Sequence, residues 1–409
     1  MSERTVGDPT EEPVVEVDRM VHGGHALAYF DGHTLLVRHA MPGERVRVRI
    51  TSRGSRVWHA EAVEILERDP RRRTPVCAVA VPGGCGGCDW QFAPIDLQRT
   101  WKAEVLAESF RRFAPDVRAP GVPVQPLDDE GLQWRTRASW HLDDAGRAGY
   151  LAYRSAQVVV PSTCHVLTPG LEEVRSGIAR GSLAETTQLS RTGRQPRGHP
   201  KRAVRVTGQQ GERGGVGIGT VPVVREVRGR SWKVPAQSFW QAHGRLPRVL
   251  VEAVLSAGRP QVGETWWDLY AGSGVFSAFL SEAVGTSGWV HAVESDGESM
   301  RAARRALHDR DRVRLHHRRV EDWLTGAPGH APSGVVLDPP RTGAAGCVRE
   351  LADHDPRVIV YVACDPVALA RDAQALAERG YRLATLVAFD AFPMTHHMEC
   401  VASFVHEIS

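Results

Sequence analysis

Lysine is almost missing from this chain: only three of its 51 basic residues are lysines. That bias follows from codon composition as readily as from phosphate recognition, so it carries no functional weight. A large net charge is missing too. At +3 over 409 residues, a global electrostatic attraction to nucleic acid is weak. No apolar run approaches the roughly 18 residues of a membrane helix. The opening MSERTVGDPTEEP is polar rather than a basic segment followed by an apolar one. The chain therefore reads as cytoplasmic, without a membrane partner; it is expected to be a monomer. Disulfides are not expected in that compartment, so its seven cysteines point to metal binding or catalysis.

What is present exceeds one compact domain, since 42% hydrophobic residues over this length fill at least two cores. Residues 14–66 alternate short apolar runs with glycine turns, the spacing of a small closed β-barrel. Within it GERVRVRI alternates valine with outward arginine, which predicts a strand with a basic face. The stretch RDPRRR (68–73) marks a boundary, and LQRTWKAEVLAESFRRF (97–113) has helical spacing. Residues 134–220 hold strand-like pieces interrupted by a glycine-, arginine- and proline-rich loop at 189–200. From Arg191 to Arg205 there are six cations and no acid, and 304–319 is a second basic stretch. A solvated surface accounts for each as well as RNA contact does. From about Val234 strands alternate with helices, which implies a doubly wound, mostly parallel sheet with ligands at the carboxyl ends of its strands. Domains are therefore expected at 10–68, 69–233 and 234–409.

DLYAGSGVFS (268–277) places Gly272 and Gly274 between a strand and a helix, and Glu294 ends the next strand. A carboxylate there can take both hydroxyls of a ribose. The loop lacks the full GxGxxG of dinucleotide sites, so S-adenosylmethionine, with a ribose and no phosphate, fits better than NAD. Cys77, Cys85, Cys88 and Cys164 form C-x7-C-x2-C-x75-C, and a C-x2-C pair with two further thiols suits zinc or an iron–sulfur cluster. His396 and His397 are adjacent, and neighbours on a strand point to opposite faces, so a positional role is expected rather than shared metal ligation.

LDPPRTG (337–343), YVACDPVALARD (361–372) and FPMTHHMECV (392–401) resemble, in order and spacing, the signatures of the RNA 5-methyluridine methyltransferase family. The resemblance implies an N-terminal TRAM barrel of the OB-like kind, a central α+β domain and a C-terminal Rossmann-like methyltransferase domain. It further implies ribosomal or transfer RNA as partner. By the same resemblance Gln241, Tyr270, Glu294 and Asp338 bind S-adenosylmethionine, although His243 and Val275 stand where asparagines are usual. The family's iron–sulfur branch carries a [4Fe–4S] cluster on a loop like PGGCGGCDWQ plus a distant cysteine. This assigns Cys77, Cys85, Cys88 and Cys164 as its ligands, with seven residues rather than five in the first spacing.

The chemistry explains why such residues are needed. C5 of uracil is a poor nucleophile, and addition of a thiolate at C6 makes it an enolate carbon able to take a methyl group. By resemblance Cys364 is that nucleophile, Glu399 is the base for the C5 proton, and Asp338 holds the uracil edge. A free thiol titrates near 8.5, so Cys364 needs help, expected from the N-terminus of the helix beginning near Pro366. Two rivals are an exocyclic-amine methyltransferase, which needs neither Cys364 nor Glu399, and an RNA-binding or iron–sulfur scaffold with a decayed site.

Overall fold

The computed structural model describes residues 12–178, 205–212, 214–327 and 331–406. The loop expected at 189–200 lies outside them, as does the basic segment that begins at Arg191, up to residue 204. The N-terminal strands β1 (Val14–Val21), β2 (His25–Phe30), β3 (His33–Arg38), β4 (Arg45–Arg53) and β5 (Val57–Glu67) close into a barrel in the order β1-β2-β3-β5-β4. Alternation drives this, since Val46 and Val48 point inward while Arg45, Arg47 and Arg49 point outward. The basic face is not formed. Arg45, Arg47 and Arg49 meet Glu67, Glu64 and Glu12 at 3.1, 2.8 and 2.9 Å, so this strand presents paired charges instead of a cationic stripe.

Helix α1 (Ile95–Phe113) joins two cores. Its Leu97 and Trp101 pack with Trp90 and Phe92 under the barrel. One turn further, Leu106 and Phe110 enter the core of the C-terminal sheet. Between these contacts Lys102 is fully buried, with Nζ 2.6 Å from Asp390 and 3.1 Å from the Phe392 carbonyl. Arg99 binds the other oxygen of Asp390 at 3.0 Å.

A five-stranded central sheet runs Val216–Ile218, Arg205–Gln210, Arg137–Leu142, Ala148–Leu151, Val158–Val159. The hairpin of Pro222–Val227 and Arg230–Pro235 sends Val223, Val227, Trp232 and Val234 into the core of the C-terminal sheet.

That sheet has eight strands in the order Val313–His317, Trp289–Glu294, Thr265–Leu269, Gly334–Leu337, Val358–Ala363, Glu399–His406, Tyr381–Phe389, Val124–Gln125. The first five are mutually parallel, and Val358–Ala363, apolar and buried along its whole length, shows why: helices cover both faces. Glu399–His406 inserts antiparallel between Val358–Ala363 and Tyr381–Phe389. Val124–Gln125, from the segment following α1, adds to the outer edge. Among the described residues no helix is long and apolar enough to cross a membrane.

Breaking a buried ion pair from one side strands the remaining charge at a cost of about 3–5 kcal/mol. Lys102→Ala should therefore lower the stability read from guanidinium unfolding by about 3 kcal/mol, the low end because Arg99 still holds Asp390. A loss below about 1 kcal/mol would show that the pair does not tie α1 to the sheet.

Candidate active site

The inserted antiparallel strand sets the site's geometry. Its register pairs Ala363 with Cys400 and Phe389 with Glu399. One residue beyond the Ala363 pair, Cys364 lies in the bend that ends its strand, near enough to Glu399 for that carboxylate to raise its thiol. Asp338 follows the strand Gly334–Leu337, which lies on the other side of Val358–Ala363. Three chain segments thus bring Cys364, Glu399 and Asp338 to one sheet edge, the carboxyl end where α/β ligands bind.

The cofactor half of the site forms at the neighbouring strands. Gly272 has φ +55, and a Cβ there would meet nothing within 4 Å, so the loop leaves open space above its backbone. Its N–H donates to Glu294 Oε2 at 2.9 Å, and Asp296 N–H donates to Oε1 at 2.6 Å. These bonds fix the carboxylate while leaving lone pairs for hydroxyl donors. An open glycine turn beside an anchored carboxylate fits the ribose of S-adenosylmethionine. Tyr270, at φ 61, turns its hydroxyl toward Glu321 at 3.3 Å and Cys347 at 3.4 Å. Gln241 follows Trp240 in the loop that Ser238 and Gln237 anchor to Glu298 at 3.1 and 3.0 Å.

The two departures from asparagine have different structural outcomes. His243 is buried, stacks on Trp134, and holds Asp128 through Nε2 at 2.9 Å. It serves the central segment rather than the cofactor loop. Val275 begins the helix Val275–Val284 and packs against the core, which leaves that position without a polar group.

Burial dominates the electrostatics. Asp338 is pushed up to about 7 by burial and by Asp268, and Asp268 itself rises to about 7, again from burial first. Glu399, 1% exposed, is raised well above the carboxylate range by burial and by Asp338, with Arg341 opposing. Among the described residues its Oε1 has no hydrogen-bond partner. A buried acceptor left open costs free energy unless a ligand supplies the donor. The Cys364 thiol is pushed up to about 12 by burial, then by Glu399 and Asp338, and Arg341 lowers it.

The expected help from the helix N-terminus does not reach Cys364. Asp365 caps the helix Pro366–Ala377, its Oδ1 accepting from Val367 and Ala368 N–H at 3.0 and 2.9 Å. That carboxylate satisfies the helix's free donors and raises the thiol's pKa instead. Arg341 is the cation that counts. Nothing in LDPPRTG gives Arg341 this role from sequence, and Asp268 was also missed, although a carboxylate inside the apolar run TWWDL was the available signal. The geometry assumed for the histidines also fails. His396 and His397 lie in a bend before the strand, not on it, and their rings are 3.9 Å apart.

The four cysteines of the loop region gather from three segments. Cys85 is pushed up to about 11 by burial and by Cys164 and Cys77, and Cys88 is raised by burial and by Cys164 and Cys85. Cys77 Sγ lies 4.0 Å from the carbonyl of Thr163, the residue before Cys164. All seven cysteines are unpaired. Among the described residues no group of three or more His, Cys, Asp or Glu is placed to hold a metal ion.

Residues 313–406 match the tRNA (uracil-5-)-methyltransferase family model. An uncharacterized RNA methyltransferase of Streptomyces coelicolor is 38% identical over 98% of this chain and 96% of its own. A 23S rRNA (uracil(1939)-C(5))-methyltransferase of Chromohalobacter salexigens is 31% identical over 94% of this chain and 87% of its own. The chain belongs to the S-adenosylmethionine-dependent RNA (uracil-5-)-methyltransferase family. The solved Pyrococcus abyssi tRNA (uracil-54, C5)-methyltransferase, bound to S-adenosyl-L-homocysteine, shares its fold, with TM-score 0.70 over 96% of this chain and 99% of that one at 19% identity.

In this uracil-5-methyltransferase chain Arg341 favours the Cys364 thiolate, so Arg341→Gln should move the Cys364 titration upward. Below both titrations each unit removes roughly nine-tenths of the thiolate. Alkylation of Cys364 by iodoacetamide at pH 8, followed by peptide mass spectrometry, should slow accordingly. An unchanged rate would show that Arg341 exerts no field on the thiol.

Proposed function

We propose that the protein methylates C5 of a uridine in structured RNA, ribosomal or transfer, through a covalent adduct on Cys364. The observation that carries this reading is that Cys364 and Glu399 each adjoin the paired residues Ala363 and Cys400, with the open Oε1 of Glu399 buried beside Asp338. Cys364 adds as thiolate to C6, and the electron pair of the C5–C6 bond passes onto C5 and O4. S-adenosylmethionine, when bound, supplies a methyl group on a cationic sulfonium for C5 to attack. Glu399, ionised in the complex with both substrates, then takes the C5 proton, the freed pair re-forms the C5–C6 bond, and the Cys364 thiolate leaves. Burial makes Glu399 a stronger base than an ordinary carboxylate, which suits a carbon-bound proton. Asp338, pushed up to about 7 by burial, donates to the uracil edge in its protonated form. Since C5 and C6 must reach Glu399 and Cys364, the base leaves its stack. Gln241, Tyr270 and Glu294 hold the cofactor, Tyr270 by its backbone turn. An RNA substrate places the work in the cytoplasm.

The crowding of Cys77, Cys85, Cys88 and Cys164 supports a [4Fe–4S] cluster. Cys85 and Cys88, whose thiols neighbouring cysteines push up, gain most from a cationic centre that takes them as thiolates, and a four-iron cluster spreads its ligands further than a single ion does. Methyl transfer needs no electron, so its contribution is to fold this loop.

Nucleoside mass spectrometry on RNA from a deletion strain, followed by site mapping, tests the activity; loss of one 5-methyluridine is expected in ribosomal or transfer RNA. Unchanged 5-methyluridine together with loss of an N-methylated base would contradict it. Cys364→Ser should abolish methylation while cofactor binding stays within about twofold, since removing a group acting only on the base costs chemistry rather than binding. Protein purified without oxygen should be brown, and Cys88→Ala should lose its iron, whereas stoichiometric zinc without visible absorption would contradict the cluster.

A further inference from the structure

The loop that delivers Glu399 is held from outside the methyltransferase sheet. Met394, at φ 65, accepts from the backbone N–H groups of Asp89 and Trp90 at 2.9 and 3.1 Å. Its own N–H donates to Gln98 Oε1 on α1 at 2.9 Å. Two residues on, His396 meets Asp89 twice, through its backbone N–H at 3.2 Å and its ring Nδ1 at 2.6 Å, both on Oδ2. The barrel closes over this contact. A Cβ on Gly24, between β1 and β2, would lie 2.8 Å from His396 Nδ1 and 3.2 Å from Asp89 Cγ. Arg38 of β3 adds a buried guanidinium 3.5 Å from Asp89.

From His396 the contacts continue into the reaction centre. Its ring lies against that of His397, and His397 Nε2 faces the Arg341 guanidinium at 3.2 Å. Burial, with His396 and Arg341 nearby, keeps the His397 ring neutral, so Nε2 accepts the guanidinium proton. Arg341 in turn acts on both Cys364 and Glu399.

We propose that Asp89 is a positioning residue of the active site, fixing His396 and through it His397 and Arg341 relative to Cys364 and Glu399. The inference rests on the function proposed above. It explains why a cysteine loop belongs to an enzyme whose reaction moves no electron. Asp89 directly follows Cys88, so the fold of that loop decides where the carboxylate stands. The strand carrying Glu399 begins three residues after His396, and a misplaced bend there misdirects the base and the cation together.

The test uses the full-length protein and whichever transcript, 23S rRNA or tRNA, the wild type methylates. Displacing reacting groups by about 1 Å costs up to about a hundredfold, so Asp89→Asn should lower kcat by roughly tenfold to a hundredfold. The KM for the transcript and the Kd for S-adenosylmethionine should stay within about twofold, because binding groups are untouched. His396→Ala, which leaves the Asp89 contacts to Met394 in place, should lose a similar factor. The double variant should be no slower than His396→Ala alone, since residues acting through one another are not additive. Losses that multiply in the double variant, a change confined to KM, or an unaltered kcat in folded His396→Ala protein would each overturn the inference. Wild-type protein that forms no 5-methyluridine would instead overturn the proposed function.

Discussion

The antiparallel insertion of Glu399–His406 between Val358–Ala363 and Tyr381–Phe389 is the constraint on which the rest depends. Parallel neighbours would have placed the start of this strand at the far edge of the sheet. Running it backwards brings its first residue, Glu399, to the edge where Cys364 ends the preceding parallel strand. A one-residue slip would turn Glu399 to the opposite face of the sheet. The buried apolar strand Val358–Ala363 and the buried run Glu399–Phe404 paired with it are therefore what aim the carboxylate at the thiol.

The same register creates an electrostatic difficulty. Glu399 and Asp268 are buried and Asp338 half-buried at or near one edge, and each is pushed toward its protonated form. Cys364 is likewise pushed toward the thiol. The free protein thus keeps the reacting groups largely neutral, with Arg341 the cation that favours ionising both Cys364 and Glu399. Such a site is quiescent until substrates change its charge and solvation. The outer parts of the chain pack on the segments that flank the site: α1 through Lys102 and Asp390, the barrel turn through Gly24 against His396, and His22 of the barrel through Asp365 at 2.9 Å.

Much of this was legible in the sequence because it is local. The β4 alternation, the apolar run YVA before Cys364, and the glycine turn before Glu294 each declare an element and its end. The motifs around Cys364 and Glu399 marked the two residues that the register then brings together. What was not legible is long-range pairing. Nothing in GERVRVRI says that each arginine meets a glutamate on another segment. Nothing in CDPVAL says that Asp365 will consume the helix donors otherwise available to Cys364. The contact of Asp89 with His396 spans more than three hundred residues, and the segment Val124–Gln125 joins a sheet whose other strands begin far downstream. Tertiary placement decides such contacts, and a periodic pattern carries no record of them.

The central claim is that Cys364 adds to the base and that the C5 proton must leave before it is released. Fluorine in place of that proton cannot be removed by a base. Wild-type protein given S-adenosylmethionine and a transcript containing 5-fluorouridine should therefore stop at a covalent protein–RNA complex, stable to denaturation, whose peptide mass spectrum carries a methylated 5-fluorouridine on Cys364. A transcript that is bound but never becomes covalently attached, or an adduct on any other residue, would contradict the account.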